Sequence, residues 1–172
     1  IVEAIPADVQ RVRAWDKAGT EGAGDWTAGV RIAKAGGLYF VEDVVRGQWN
    51  SMARNAVIRQ TAALDGPEAE IALEQEPGSG GKESAEISIR ELAGYNVHAR
   101  PSTGSKLTRA LPMSAQAEAG NLKLVRGPWN KAFLDELHSF TGAEGAVDDQ
   151  VDAATSAFNR LALRAGPLEM WG

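Results

Sequence analysis

Cysteine is absent from the 172 residues, and the only imidazoles are those of His98 and His138. The first absence excludes disulfides and thiolate zinc sites and fits a reducing compartment. The scarcity of histidine means that a metal site here has to be rich in oxygen, which favours Mg²⁺ or Mn²⁺ over Zn²⁺. No apolar run approaches the roughly 20 residues that cross a bilayer, and no signal peptide is visible, so a soluble protein outside any membrane is expected. Internal repeats and low-complexity tracts are missing too. The chain opens on Ile1 rather than Met, and it reads as a piece cut from something longer.

What is present is a 44% hydrophobic composition, enough to bury the core of one domain. Residues 1–10 read as a tether and residues 11–172 as that single domain. The net charge of −5 argues against binding nucleic acid through general electrostatics. Its distribution softens the objection. Arg100, Lys106, Arg109, Lys123, Arg126 and Lys131 gather in a segment with few acids. Such a strip can face a polyanion, and an ordinary solvated surface is the plain alternative.

Alternation around Val12 and Ala14 predicts a strand over Arg11–Asp16, followed by strands over about Trp26–Ala33 and Leu38–Val45, the last two joined by a glycine hairpin. Three sequential antiparallel strands are expected. Asn50 or Ser51 can cap a helix reaching Leu64. A short buried strand over Ile71–Gln75 then meets a PGSGG turn and a helix over about Lys82–Ala93. A strand at Tyr95–Ala99, a helix over Leu107–Ala119 with Pro112 disturbing its start, and a strand at Asn121–Val125 come next. Helices over Trp129–Phe140 and Asp149–Arg164 close the order, which makes an α/β chain around one central mixed β-sheet flanked by helices.

Three groups of carboxylates stand out against apolar surroundings. Asp16 closes the first strand, where a side chain can project into a crevice, although a turn aspartate would look the same. Glu74 and Glu76 alternate with Leu73 and Gln75, so they are predicted to share one strand face. Asp149 and Asp152 share a helix face away from Val151, Ala154 and Phe158, and Asp148 is placed as the N-cap. Acids at a helix start also serve capping alone. Removing carboxylates from water without a partner costs several kcal/mol or more, so converging carboxylates point to a divalent cation. Two-metal phosphoryl-transfer sites need this combination of strand and helix acids.

GSGGK is not a nucleotide-binding loop, because Glu76 and Glu83 stand where a Walker A motif needs Gly and Ser or Thr. Those glycines are expected to let backbone approach backbone or a DNA strand, with Lys82 free to meet a phosphate. Trp15, Trp26, Trp49 and Trp129 read as packing residues.

The segments RVRAWDKAGTEGAGDWTAGV, YFVEDVVRGQW, IALEQEPGSGGK, GSKLTRALPMSAQAEAGNLKLVRGPWN and VDDQVDAATSAFNRL give the chain a joint likeness. It resembles the C-terminal nuclease domain of tailed-bacteriophage large terminases, a branch of the RNase H-like superfamily. The resemblance implies an RNase H-like fold and an endonuclease that cuts concatemeric double-stranded DNA with two Mg²⁺ or Mn²⁺ ions. Hydrolysis would leave a 3′-hydroxyl and a 5′-phosphate without a covalent intermediate. It implies Asp16 as the acid bridging both ions, Glu74 or Glu76 as the second strand acid with Glu74 favoured, and Asp149 and Asp152 as the helical acids. Glu76, Asp25 and Asp148 would be auxiliary, and Val147 stands where many relatives carry His.

Lys82, Arg100, Lys106, Arg109 and Arg126 are the candidate phosphate contacts. Implied partners are DNA, an N-terminal ATPase domain of the same polypeptide, the portal and the small terminase subunit, in the host cytoplasm during virion assembly. A structure-selective junction resolvase is the competing enzyme reading. A non-catalytic DNA-docking or assembly module holding a structural ion is the competing reading from another class.

Overall fold

The computed structural model describes residues 1–17 and 26–164. Six strands form one sheet: β1 (Gln10–Asp16), β2 (Thr27–Ala35), β3 (Leu38–Gly47), β4 (Glu70–Glu74), β5 (Val97–Arg100) and β6 (Leu122–Leu124). Their spatial order is β5-β4-β1-β2-β3-β6. The expected antiparallel run β1-β2-β3 is present, while β4 lies parallel to β1, β5 parallel to β4 and β6 parallel to β3. This is the mixed sheet of an RNase H-like α/β fold. β1 is central, and β1, β4 and β5 all run the same way, so their carboxyl ends open onto one crevice.

Among the described residues, five helices cover the sheet: α1 (Ser51–Asp65), α2 (Gly78–Glu91), α3 (Lys106–Glu118), α4 (Asn130–Ser139) and α5 (Asp149–Ala162). Alternation along β1 sends Val12 and Ala14 to one face, where they meet Ala154, Phe158 and Leu161 of α5 in the larger core. Trp15 points to the other face and packs with Ile58 and Ala62 of α1. Asn50 caps α1 as expected, accepting a hydrogen bond from the Ala53 amide at 2.9 Å. Pro112 sits inside α3, which runs through it from its Ser105 cap. The chain's start pairs with the far edge of the sheet, since Val2 bridges Val125.

Two local expectations are corrected, and a third holds in position only. Helix α2 begins at Gly78 rather than near Lys82, so most of PGSGG is helix and not turn. Close packing explains it, because a Cβ on Gly81 would lie 1.9 Å from the Glu76 carbonyl oxygen. Only glycine lets the first turn of α2 fold back on the end of β4. The β4 ladder stops at Glu74, so Glu76 lies beyond the strand and does not share a strand face with it. Asp148 occupies the N-cap position of α5 but makes no capping bond with its side chain. Glu136 of α4 does that work, accepting from the Val151 amide at 2.9 Å.

Among the described residues, no helix is long and apolar enough to cross a membrane.

Candidate active site

Asp16 ends β1, Glu74 ends β4, and Asp149 and Asp152 lie in the first turn of α5 behind Asp148, with Asp152, Asp149 and Glu74 all near enough for their charges to act on Asp16. Their fields overlap. Burial pushes the Asp16 carboxyl up from 3.8 to about 8, and the charges of Asp152, Asp149 and Glu74 add to the rise. Asp149 is pushed up to about 6, again by burial first and then by Glu136. Asp152 is raised as well, with burial the leading cause.

Lys106 pairs directly with this crowd, and the Arg46 and Arg109 charges act on Asp149 and Asp152 from farther off. The Lys106 ammonium donates to Asp148 Oδ1 at 2.8 Å and sits 2.9 Å from Asp152 Oδ2. It comes from the first residue of α3, fixed in place by the Ser105 cap. The two aspartates hold its pKa well above the usual lysine value against the opposing effect of burial. Asp148 is almost fully buried, and its second oxygen, Oδ2, has no hydrogen-bond partner. An orphaned carboxylate oxygen beside a bound ammonium is what a cation site offers when a side chain stands in for the ion.

Among the described residues, no group of three or more acids or imidazoles already stands at ligating distances. The donor set is nonetheless all carboxylate oxygen, which suits a hard divalent ion.

A cleft of about 200 Å³ opens beside Asp16 on the α2 side of the sheet. Glu74 and Glu76 line it together with Lys17, Arg54, Ser84 and Ser88. Glu76 is therefore brought to the site by the turn after β4 instead of by strand alternation. Lys17, which the sequence reading passed over, donates to Ser88 Oγ at 2.8 Å. Its pKa is pushed down to about 8, chiefly by burial and then by the Arg54 charge. Its signal was available, since a lysine directly after a strand-ending aspartate must lie at the same crevice.

The basic candidates separate. Lys106 lies within the acidic group, and Arg109 is close enough for its charge to act on Asp152. Arg100 ends β5, next to Glu74 in the β4–β5 ladder. Lys82 is exposed on α2. Arg126 lies past β6 at the opposite edge, paired with Glu3 at 2.6 Å. Asp25 falls outside the described residues. The tryptophans pack as expected: Trp15 is buried, Trp129 meets Phe133 edge-on at 5.8 Å, and Trp26 lies under the Arg46 guanidinium at 3.8 Å. Trp49 fills the space over Gly47.

Comparison with known proteins gives this arrangement relatives. The nuclease domain of the phage P22 large terminase superposes with a TM-score of 0.69 at 12% identity, over 92% of this chain and 87% of that one. The large terminase nuclease of thermophilic phage G20c with bound magnesium gives a TM-score of 0.67 at 16% identity, over 93% and 86%. A manganese-soaked, inhibitor-bound terminase nuclease domain of human cytomegalovirus gives 0.65 at 13%, over 87% and 81%. At such identities the likeness speaks for the fold. No curated protein sequence matches the chain. The family model described as the terminase RNase H-like domain matches residues 13–161, from β1 into the last turn of α5. The chain therefore belongs to the terminase RNase H-like nuclease domain family.

Proposed function

We propose that this domain is a metal-dependent endonuclease that cuts concatemeric double-stranded DNA during viral genome packaging. The observation that carries the reading is the convergence of Asp16, Glu74, Asp149 and Asp152 from β1, β4 and α5 on one crevice, with Lys106 as their nearby cation. Asp16, Glu74, Asp149 and Asp152 would hold Mg²⁺ or Mn²⁺, with Asp148 and Glu76 supporting. Asp25 is retained as a candidate auxiliary on sequence alone. Divalent ions bound there supply an acidified water and positive charge for the leaving oxygen.

The chain's own residues do the rest. Asp16 feels the charges of Asp152, Asp149 and Glu74, so it is the carboxylate that would hold an ion together with each of them. Burial keeps bulk water from screening the group, which strengthens every charge interaction inside it. Lys106 neutralises part of the charge of Asp148 and Asp152, and its ammonium lies where it would also meet a phosphate oxygen brought to the carboxylates. Arg100 and Arg109 flank the carboxylates on the β5 and α3 side and would orient the strand. Lys82 and Arg126 would contact the backbone farther out. The family's packaging machinery, namely an ATPase domain, a portal and a small subunit, supplies the expected partners in the host cytoplasm.

Plasmid nicking with Mg²⁺ or Mn²⁺ tests this reading. Asp16→Asn is expected to lower the rate at least about a thousand-fold, since metal-ion catalysis is worth several kcal/mol. A variant that cuts as fast as the parent would remove the metal-site reading. Glu74→Gln is expected to cost more than Glu76→Gln, and the reverse order would exchange their roles.

A further inference from the structure

On the opposite side of Glu74 from the α2 cleft lies a second hollow, of about 230 Å³. Its floor and walls come from the ends of β4 and β5, the loop after β5, one residue of α3 and the outer face of α5. Three guanidinium groups face it, those of Arg100, Arg109 and Arg160. They are not equally engaged. Arg160 is anchored on buried Glu70 at 2.5 Å, and the same carboxylate also holds Arg164. Arg109 spends one N–H on the Gly104 carbonyl at 3.1 Å, and the exposed Arg100 side chain has no partner among the described residues. Spare guanidinium donors in a hollow match the oxygens of a phosphate.

The rest of the lining is mixed. Ser102, Thr103 and Ser156 present hydroxyls, while Leu73, Pro101 and Leu163 give apolar surface. Basic, hydroxyl and apolar groups together suit a phosphate joined to a sugar and base. Its volume bounds the scale, because pockets that enclose drug-sized ligands start at roughly 300 Å³, so a hollow of about 230 Å³ seats at most one nucleotide unit, partly open to solvent, and no duplex. Its position settles the source. Glu74 lines both hollows, and the Arg109 charge reaches Asp152, so whatever occupies the hollow lies one step from the carboxylates.

We infer that this hollow holds a single nucleotide unit of the cut strand beside the scissile phosphate, its phosphate on Arg100 and Arg109. The assignment rests on the nuclease reading for its strand but not for its chemistry. Binding at this place draws one strand out of the path of its complement over the carboxylates. The domain then handles DNA one strand at a time.

Titration of the protein in EDTA, where nothing is cut, tests this separately from catalysis. The probes are thymidine 5′-monophosphate and a 5′-phosphorylated single-stranded tetranucleotide, followed by amide chemical shifts. Both are expected to bind and to perturb amides of β5 and α5. Arg100→Gln removes a charge, and Ser156→Trp fills the hollow from an exposed position of α5. Each should weaken both probes about tenfold or more, Arg100→Gln by the loss of one charge-assisted contact and Ser156→Trp by occupying the space, with unchanged melting temperature. Lys34→Gln, at the end of β2 away from the crevice, should weaken neither. Equal binding in the parent and in both hollow variants would overturn the site. Loss of the mononucleotide alone would give the hollow to a free nucleotide and overturn its place on the strand. Intact probe binding in a protein that never nicks DNA would sink the nuclease reading and leave the hollow standing.

Discussion

Strand β1 carries two charged clusters three residues apart, one around Arg13 and one around Asp16, and the chain treats them differently. Arg13 is 2% exposed, and its guanidinium is met by Asp65 at 2.7 Å and by Asp43 at 2.7 Å, with the Gly29 carbonyl at 3.1 Å. Asp65 in turn binds Arg31, which also reaches Glu42. Every carboxylate there faces a guanidinium, and the acids keep Arg13 firmly charged despite its burial. Around Asp16 the balance is reversed, with carboxylates crowding carboxylates and Lys106 paired directly with only two of them. A buried cluster closed on itself ties α1 to the sheet. A cluster left short of positive charge is incomplete without a cation.

That contrast can be broken by experiment. The largest effect is kinetic, the loss of nicking in Asp16→Asn, while Asp65→Asn should leave cutting intact at temperatures where it is folded. In stability the order inverts. Asp65→Asn leaves Arg13 buried and short of a partner, at a cost of about 3–5 kcal/mol in urea unfolding, the range for a buried pair broken on one side. Should Asp16→Asn cost as much, the two clusters would be alike and the comparison would fail. Lys106→Met is expected to cost about 1 kcal/mol in EDTA, because this ammonium is 37% exposed and solvent screens part of its pairing. The same variant should bind Mn²⁺ more tightly, since its competitor for Asp148 and Asp152 is gone; weaker binding would make Lys106 part of the site instead.

A further signature is in pH. Asp16 and Asp149 have folded-state values of about 8 and about 6 against an ordinary 3.8. Both bind protons more readily in the folded state than unfolded, so the metal-free protein should lose stability as pH rises from about 4 to about 8. Asp16→Asn should flatten that decline. A decline of unchanged slope would show that the acids do not crowd.

Much of this was legible in the chain, for identifiable reasons. Period-two alternation marked β1, the glycine hairpin marked β2 and β3, and Asn50 announced α1 through its capping chemistry. The acids were visible because each interrupts an apolar pattern. The counter-charges were not. Arg13 alternates with Val12 and Ala14 as a solvated residue would, and only the coverage of both faces of a central strand buries it. Glu136 is hidden the same way, although its spacing of three from buried Phe133 places both on the covered face of α4. The start of α2 was missed because glycine is a poor helix former. Contact with the Glu76 carbonyl overrides that propensity at Gly81.

Mn²⁺ titration of the metal-stripped domain, followed by electron paramagnetic resonance, reaches the central claim most directly. The account predicts saturable binding in the parent, lost or greatly weakened in Asp16→Asn and preserved in Asp65→Asn. Binding that survives Asp16→Asn unchanged would contradict it.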